Sequence, residues 1–274
     1  NQQLFTAVHE NFGNLGKYLK SMGETGHVTH LLADLGLSSM QIDDNERGFT
    51  YKREGPLDMR MNTHGTTSLM SSSSTEAPSK TAYDFLCRLK PKQLESMLQE
   101  NSDEIYADEI AQGLLAKKKG QKKKPVIPQT TTELAERVRA IVEPLMQKAE
   151  FHEKKGRHHK TSAAEIDIPK AQLDSTVARV MQALRIELNG EFQVLEQLLK
   201  DLPSILAPGG RAVFLTFHSG EDRRVKKALK AGYKSGIYKS WSRTVVRPSA
   251  QERRDNPRSS CCKLRWAVRS DQAI

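Results

Sequence analysis

Cysteine is scarce in this chain of 274 residues: Cys87, Cys261 and Cys262 are the only three. The count is odd, two are adjacent, and no Cys-x-x-Cys pair exists. That argues against a disulfide framework or a structural zinc site and for a reducing compartment. No metal centre is expected. Long apolar runs are missing as well. The longest are strand-sized, short of the ~20 residues that a membrane-crossing helix needs, so no membrane partner is expected. The opening stretch NQQLFTAVHENFG has no basic segment followed by an apolar core, so it is not expected to be a signal peptide. It also lacks an initiator Met, and the chain is expected to start partway through a longer protein.

What the chain has in excess is positive charge. Lys and Arg number 43 against 33 Asp and Glu, a net charge of +10. A polyanionic partner is favoured, nucleic acid before membrane.

The pattern of elements reads as α/β. Leu4 to Val8 is a short strand, Leu15 to Met22 a helix stopped near Gly23, and Val28 to Ala33 a second strand, together one βαβ unit of a parallel sheet. Residues 62 to 80 shift to Ser, Thr, Gly and Pro and read as a linker. From about 80 to 165 only helical spacing appears, with an interruption near Pro91, and the loops there carry Lys clusters at 117–124 and 154–160. Val177 to Leu202 continues as one long amphipathic helix, broken near Asn189-Gly190 or Pro203. A tight turn at Ala207 to Gly210 precedes a buried strand, Arg211 to Phe217. Ser219 and Asp222 have capping-box spacing and open a helix from Arg223 to Lys230. Ser240 to Arg247 and Lys263 to Arg269 pair as an antiparallel hairpin. The expected domains are 1–75 and 173–274, two parts of one α/β domain, with a helical insert at 76–172.

The most informative stretch is HLLADLGLSSMQIDDNERGFTYKREGPLDMRM, His30 to Met61. An apolar strand ends at a carboxylate, Asp34, and opens through a glycine into a long polar loop. In open α/β sheets ligands bind outside the carboxyl ends of the strands, so Asp34 is the first candidate site residue. His218, at the end of a later strand, is a candidate base or phosphate-facing donor, with a turn-bonded structural histidine as the alternative.

Four blocks, DLGLSSMQIDDNERGFTYKREGPLDMRM, MQALRIELNGE, LAPGGRAVFLTFHSGEDRRVKK and NPRSSCCKLRWAV, resemble the signature blocks of the bacterial and organellar small-subunit rRNA cytosine-N4 methyltransferases, in that family's order. The resemblance implies a Rossmann-like class I methyltransferase sheet and S-adenosylmethionine as cofactor. It implies cofactor contacts at Phe12, Asp34 and Gln41, and a small-subunit rRNA or ribosomal small subunit as partner. Arg60, Arg223, Arg258, Lys263 and Arg265 are candidates to clamp RNA phosphates. Asp34 and His218 are the candidate catalytic groups. Phe49 or Tyr51 would stack on the target base, and Met59 and Met61 would line the pocket or fill core.

The chain departs from the pattern in places. The family's glycine-rich cofactor loop and the acidic residue after its second strand have no counterpart here, so the first strands of the sheet are expected to be missing. Gly220 stands where a Leu is usual, Asn62 where an Asp is, and Ser175-Thr176 replace a His-Pro pair. Cys261-Cys262 replace small or basic residues before Lys263.

The implied reaction moves a methyl from a sulfonium to the exocyclic N4 of a cytidine. That nitrogen is a poor nucleophile, so the site must accept a hydrogen bond from the amine and align it, and placement supplies much of the acceleration. The target base must first be displaced from folded RNA. The alternative is a non-catalytic RNA- or ribosome-binding remnant, motivated by the missing glycine loop. The compartment would be the cytoplasm of a bacterium, or the mitochondrial matrix or plastid stroma of a eukaryote. The oligomeric state is open, a homodimer included.

Overall fold

The structure, a computed structural model, describes residues 5–62, 80–116, 125–154 and 166–271. In chain order its elements are α1 (Leu15–Ser21), β1 (Val28–Asp34), α2 (Ser39–Asp43), α3 (Ala82–Leu86), α4 (Pro91–Ser102), α5 (Ala107–Leu115), α6 (Thr131–Lys154), α7 (Lys170–Asn189), α8 (Glu191–Ile205), β2 (Leu206–Thr216), α9 (Ser219–Lys234), β3 (Tyr238–Trp241), α10 (Ala250–Asp255) and β4 (Lys263–Arg269). The described residues divide into two compact units. A sheet unit holds those up to Gly36 and those from Gly190 on, and a helical unit holds the rest. This packing divides the chain at Gly36 and Gly190, whereas the expected boundaries were 75/76 and 172/173. The difference arises because residues 37–62 and α7 bury their apolar side chains in the helical core.

The sheet has the order β1-β2-β4-β3. β1 and β2 are parallel, and β4 is antiparallel to both of its neighbours. The expected strand at Leu4 to Val8 is not formed. Residues 5–8 are irregular, and Phe5 and Val8 are exposed. A short β-prone run becomes a strand only where a neighbouring strand takes its backbone groups, and the parallel partner of β1 is β2 instead. The helix break falls at Gly190, which holds φ +62 between α7 and α8, while Pro203 is accommodated inside α8.

The Ala207 to Gly210 turn lies within β2 rather than before it. From Val28↔Leu206 to His30↔Arg211, β2 advances farther than β1, so the turn is a bulge on the strand. Gly209 takes φ +73 there, and a Cβ on Gly210 would lie 2.7 Å from the Ala207 carbonyl oxygen. The bulge restores register, so that Asp34 and Leu215 are paired at the far end. Beneath the sheet, Leu195, Leu198, Leu199 and Leu202 of α8 pack with Leu31, Phe214, Val225 and Leu229. Their helical spacing is the apolar stripe read in the sequence.

α9 begins at Ser219, four residues before the expected start, with His218 as N-cap and no side-chain cap bond. His218, and not Ser219, holds the N-cap position. Asp222 is taken by Arg265, and Glu221 reaches back to accept the Phe217 backbone N–H at 2.9 Å.

The helical unit is built on α4, α5, α6 and α7 around Leu94, Leu98, Ile110, Leu114, Leu134, Val138, Val177 and Leu184. Pro91 begins α4, where its missing N–H costs nothing. Among the described residues from 80 to 165 there is no strand, only an isolated bridge of Thr130 to Pro56. The linker expected at 62–80 and the Lys clusters lie almost wholly outside the described residues. Met59, at φ +60 and 1% exposed, fills this core. Its carbonyl accepts the Asn189 side-chain amide at 2.9 Å, and Asn189 in turn accepts the Met61 N–H at 2.7 Å.

Candidate functional site

The carboxyl ends of β1 and β2 form one rim of the sheet unit. Asp34 closes β1 opposite Leu215, and its side chain is exposed. The Leu35 N–H donates to the Leu215 carbonyl at 3.1 Å, after which Gly36 turns the chain at φ +93. That is a backbone conformation glycine adopts at no steric cost. Lys263, the first residue of antiparallel β4, pairs with Thr216 at the same rim. The Thr216 hydroxyl donates to the Lys263 carbonyl at 3.1 Å.

Cys262 belongs to this neighbourhood and was noted in the sequence only as a departure from the family pattern, not as a site residue. Burial pushes its thiol pKa up, and Cys261 and the Asp34 carboxylate push it further. The signal was present in the block Cys-Cys-Lys: a strand returning antiparallel to β2 must begin at the rim where β2 ends.

His218 follows β2 and is largely buried, with its side chain 11% exposed beside Phe192 and Glu221. Its Nε2 lies 3.3 Å from Glu221 Oε1. Burial disfavours the phosphate-facing role and places the side chain inside the turn between β2 and α9.

Phe12 stands on a single 3₁₀ turn, Phe12–Asn14, rather than at a strand exit. Asn11 caps the turn by accepting the Gly13 N–H at 2.9 Å, and Gly13 lies close against Val194 of α8. The Phe12 ring is 43% exposed. Gln41 lies in the helical unit. Its side-chain oxygen accepts the Ser38 N–H at 2.9 Å, and its own N–H donates to the Ser38 hydroxyl at 3.2 Å, a capping box that fixes α2.

The five candidate RNA contacts separate. Arg223 on α9 and Arg258 are exposed, and Lys263 is half-buried. Arg265 is 4% exposed. Its Nε and one terminal nitrogen donate to the two Asp222 oxygens at 2.6 and 3.1 Å, and the other donates to the Ser242 carbonyl at 3.3 Å. It clamps α9 to β4 and is not presented to a phosphate. Arg60 forks onto Asp58 at 2.7 Å through Nε and a terminal nitrogen. Burial raises the Asp58 carboxyl pKa, but the hydrogen bonds from Arg60 and the charges of Arg60 and Arg47 outweigh it and hold the carboxyl below its usual range.

The rings expected to stack on a base are engaged. The Arg47 guanidinium lies 5.6 Å from the Phe49 ring centre and that of Arg139 lies 5.9 Å from Tyr51, whose hydroxyl donates to the Asp174 carbonyl. The helical unit carries a cleft of about 350 Å³ lined by Pro56, Leu57, Asp58, Thr81, Tyr83 and Gln129. Asp58 is thus both the partner of Arg60 and a wall of a cleft.

A profile of the MraW methylase family matches residues 1–270. The chain belongs to this family. It is 42% identical over 271 residues to the ribosomal RNA small subunit methyltransferase H 1 of Agathobacter rectalis, covering 98% of this chain and 66% of that protein. It is 36% identical to the protein of the same name in Lachnoclostridium phytofermentans, over 98% of this chain and 63% of the relative. With the ribosomal RNA small subunit methyltransferase H of Elusimicrobium minutum it shares 34% identity over 96% of this chain and 74% of the relative. The chain thus spans just under two thirds of the length of the first two. Family membership agrees with the mixed α/β sheet, a class I methyltransferase fold. No helix among the described residues is long and apolar enough to cross a membrane.

Proposed function

We propose that this chain carries an S-adenosylmethionine-dependent methyltransferase activity directed at the exocyclic N4 of a cytidine in small-subunit rRNA. The observation that carries the reading is an exposed Asp34 carboxylate at the carboxyl end of β1, beside a positive-φ glycine, in a family member. A carboxylate there accepts hydrogen bonds from an amine, and the exposed Phe12 ring offers an apolar face, so these residues suit the cofactor's charged and aromatic parts. Asp34 and Phe12 would hold it. When bound, the cofactor supplies an electrophilic methyl on a sulfonium.

The chain's own contribution is placement and charge. Asp34 accepts a hydrogen bond from the target amine, aligns it, and stabilises the positive charge that develops on that nitrogen. A carboxylate oxygen of Asp34 then receives the proton the amine gives up. The catalytic role rests with Asp34, and His218 is given a positioning role because its ring is packed inside the turn after β2. Arg223, Arg258 and Lys263 supply phosphate contacts. The work is placed where small subunits assemble, the cytoplasm in a bacterium.

The test is methyl transfer to small subunits lacking the modification, read by mass spectrometry of rRNA nucleosides. Asp34→Ala should lower the rate by about 10²-fold or more, the scale of lost positioning. Transfer unchanged in that variant would end the assignment of Asp34. RNA binding with no cofactor binding by calorimetry would favour the non-catalytic remnant.

A further inference from the structure

We propose that Glu191, His218 and Glu221 form a site for one divalent transition-metal ion of the zinc class. The three side chains come from separate places in the sheet unit: Glu191 from the first turn of α8, His218 from the N-cap of α9, and Glu221 from its first turn. One ligand atom from each lies within 4.8 Å of the others.

Three observations converge on a cation. First, His218 is enclosed, and neither of its ring nitrogens makes a hydrogen bond. Buried polar nitrogens without a bonding partner are rare and call for a specific cause. Second, Glu221 is 4% exposed, with Oε2 engaged by the Phe217 N–H, so its charge is buried and Oε1 is turned to the imidazole. Third, the 3.3 Å between His218 Nε2 and Glu221 Oε1 is the edge of a metal tetrahedron. Two ligand atoms at the usual zinc–nitrogen and zinc–oxygen distances and a tetrahedral angle lie about 3.3 Å apart.

Acids in the first turns of α8 and α9 suit the helix dipoles. That accounts for the carboxylates but not for an enclosed imidazole with neither nitrogen bonded. Arg224 lies over the Phe192 ring and donates to Glu196 at 2.9 Å and to the Gly220 carbonyl at 3.2 Å.

The donor set selects the metal class. Magnesium and calcium take oxygen ligands, and copper(I) takes thiolates or thioethers. One imidazole and two carboxylates suit zinc, with a fourth position left for water. The set escapes sequence reading because His218 and Glu221 alone are an ordinary i, i+3 pair, and Glu191 enters only through the packing of α8 on α9.

The test is titration of the metal-stripped full chain with Co²⁺, reading the visible absorption of a four-coordinate ion and its displacement by Zn²⁺. One Co²⁺ per chain is expected, with affinity lowered at least about tenfold in both His218→Ala and Glu191→Gln. Far-UV circular dichroism checks that each variant is folded. Glu191 is only half-buried, so Glu191→Gln decides the matter if His218→Ala unfolds. A wild-type chain without stoichiometric Co²⁺, or a folded Glu191→Gln that binds like wild type, would overturn the site. The readout is metal uptake, so it stands or falls independently of methyl transfer.

Discussion

Arg265 and Asp222 meet across 2.6 Å with both side chains largely enclosed. Removing one partner leaves a buried charge uncompensated, so Arg265→Ala or Asp222→Ala should each cost about 3–5 kcal/mol, measured by urea denaturation. The double substitution should cost less than the sum, because each single change already forfeits the shared interaction. Asp58 gives a pH-dependent counterpart. Its folded pKa lies below the ordinary 3.8, so its contribution to stability is present above that value and is lost as pH falls through the lower folded one. Asp58→Asn should flatten the acid limb of the stability–pH curve, and an unchanged limb would show that another group governs it. The place of Asp34 at the end of β1 was legible because strand, carboxylate and glycine follow one another closely. The engagement of Arg60 was a local matter that charge counting overlooked. The engagement of Arg265 was hidden because its partner lies on another element.

Elements announced by local periodicity formed where expected at α1, β1, α4 to α8 and β4, whereas β3 runs Tyr238–Trp241 and not over the expected Ser240 to Arg247. Those whose existence depends on a distant neighbour did not. Residues 5–8 of the expected first strand are irregular, and α9 starts at Ser219 with Asp222 held by Arg265 of β4. At the close approach of α5 and α6, a Cβ on Gly113 would lie 2.5 Å from Ile141 Cδ1. Gly113→Val should therefore force the two helices apart at a cost of about 1–3 kcal/mol, seen as a lowered melting temperature. Adding Ile141→Ala should restore part of it. Gly220 follows the same logic on α9. Its Cβ would lie 2.6 Å from Phe192 Cζ, so a larger residue there would displace that ring.

For the whole molecule, composition carried the basic character and the pattern of elements the mixed α/β class, while the division at Gly190 needed coordinates. A continuous apolar stripe passes through that glycine, and only packing reveals that its two halves serve different cores. The two cores make unfolding more than a single number. Both tryptophans, Trp241 and Trp266, sit on β3 and β4, and α4 to α7 contain none. Indole emission therefore watches the sheet unit alone, whereas ellipticity is dominated by the long helices of the other. In a guanidinium titration the two signals should trace different midpoints, and superimposable curves would mean that the cores melt as one cooperative body.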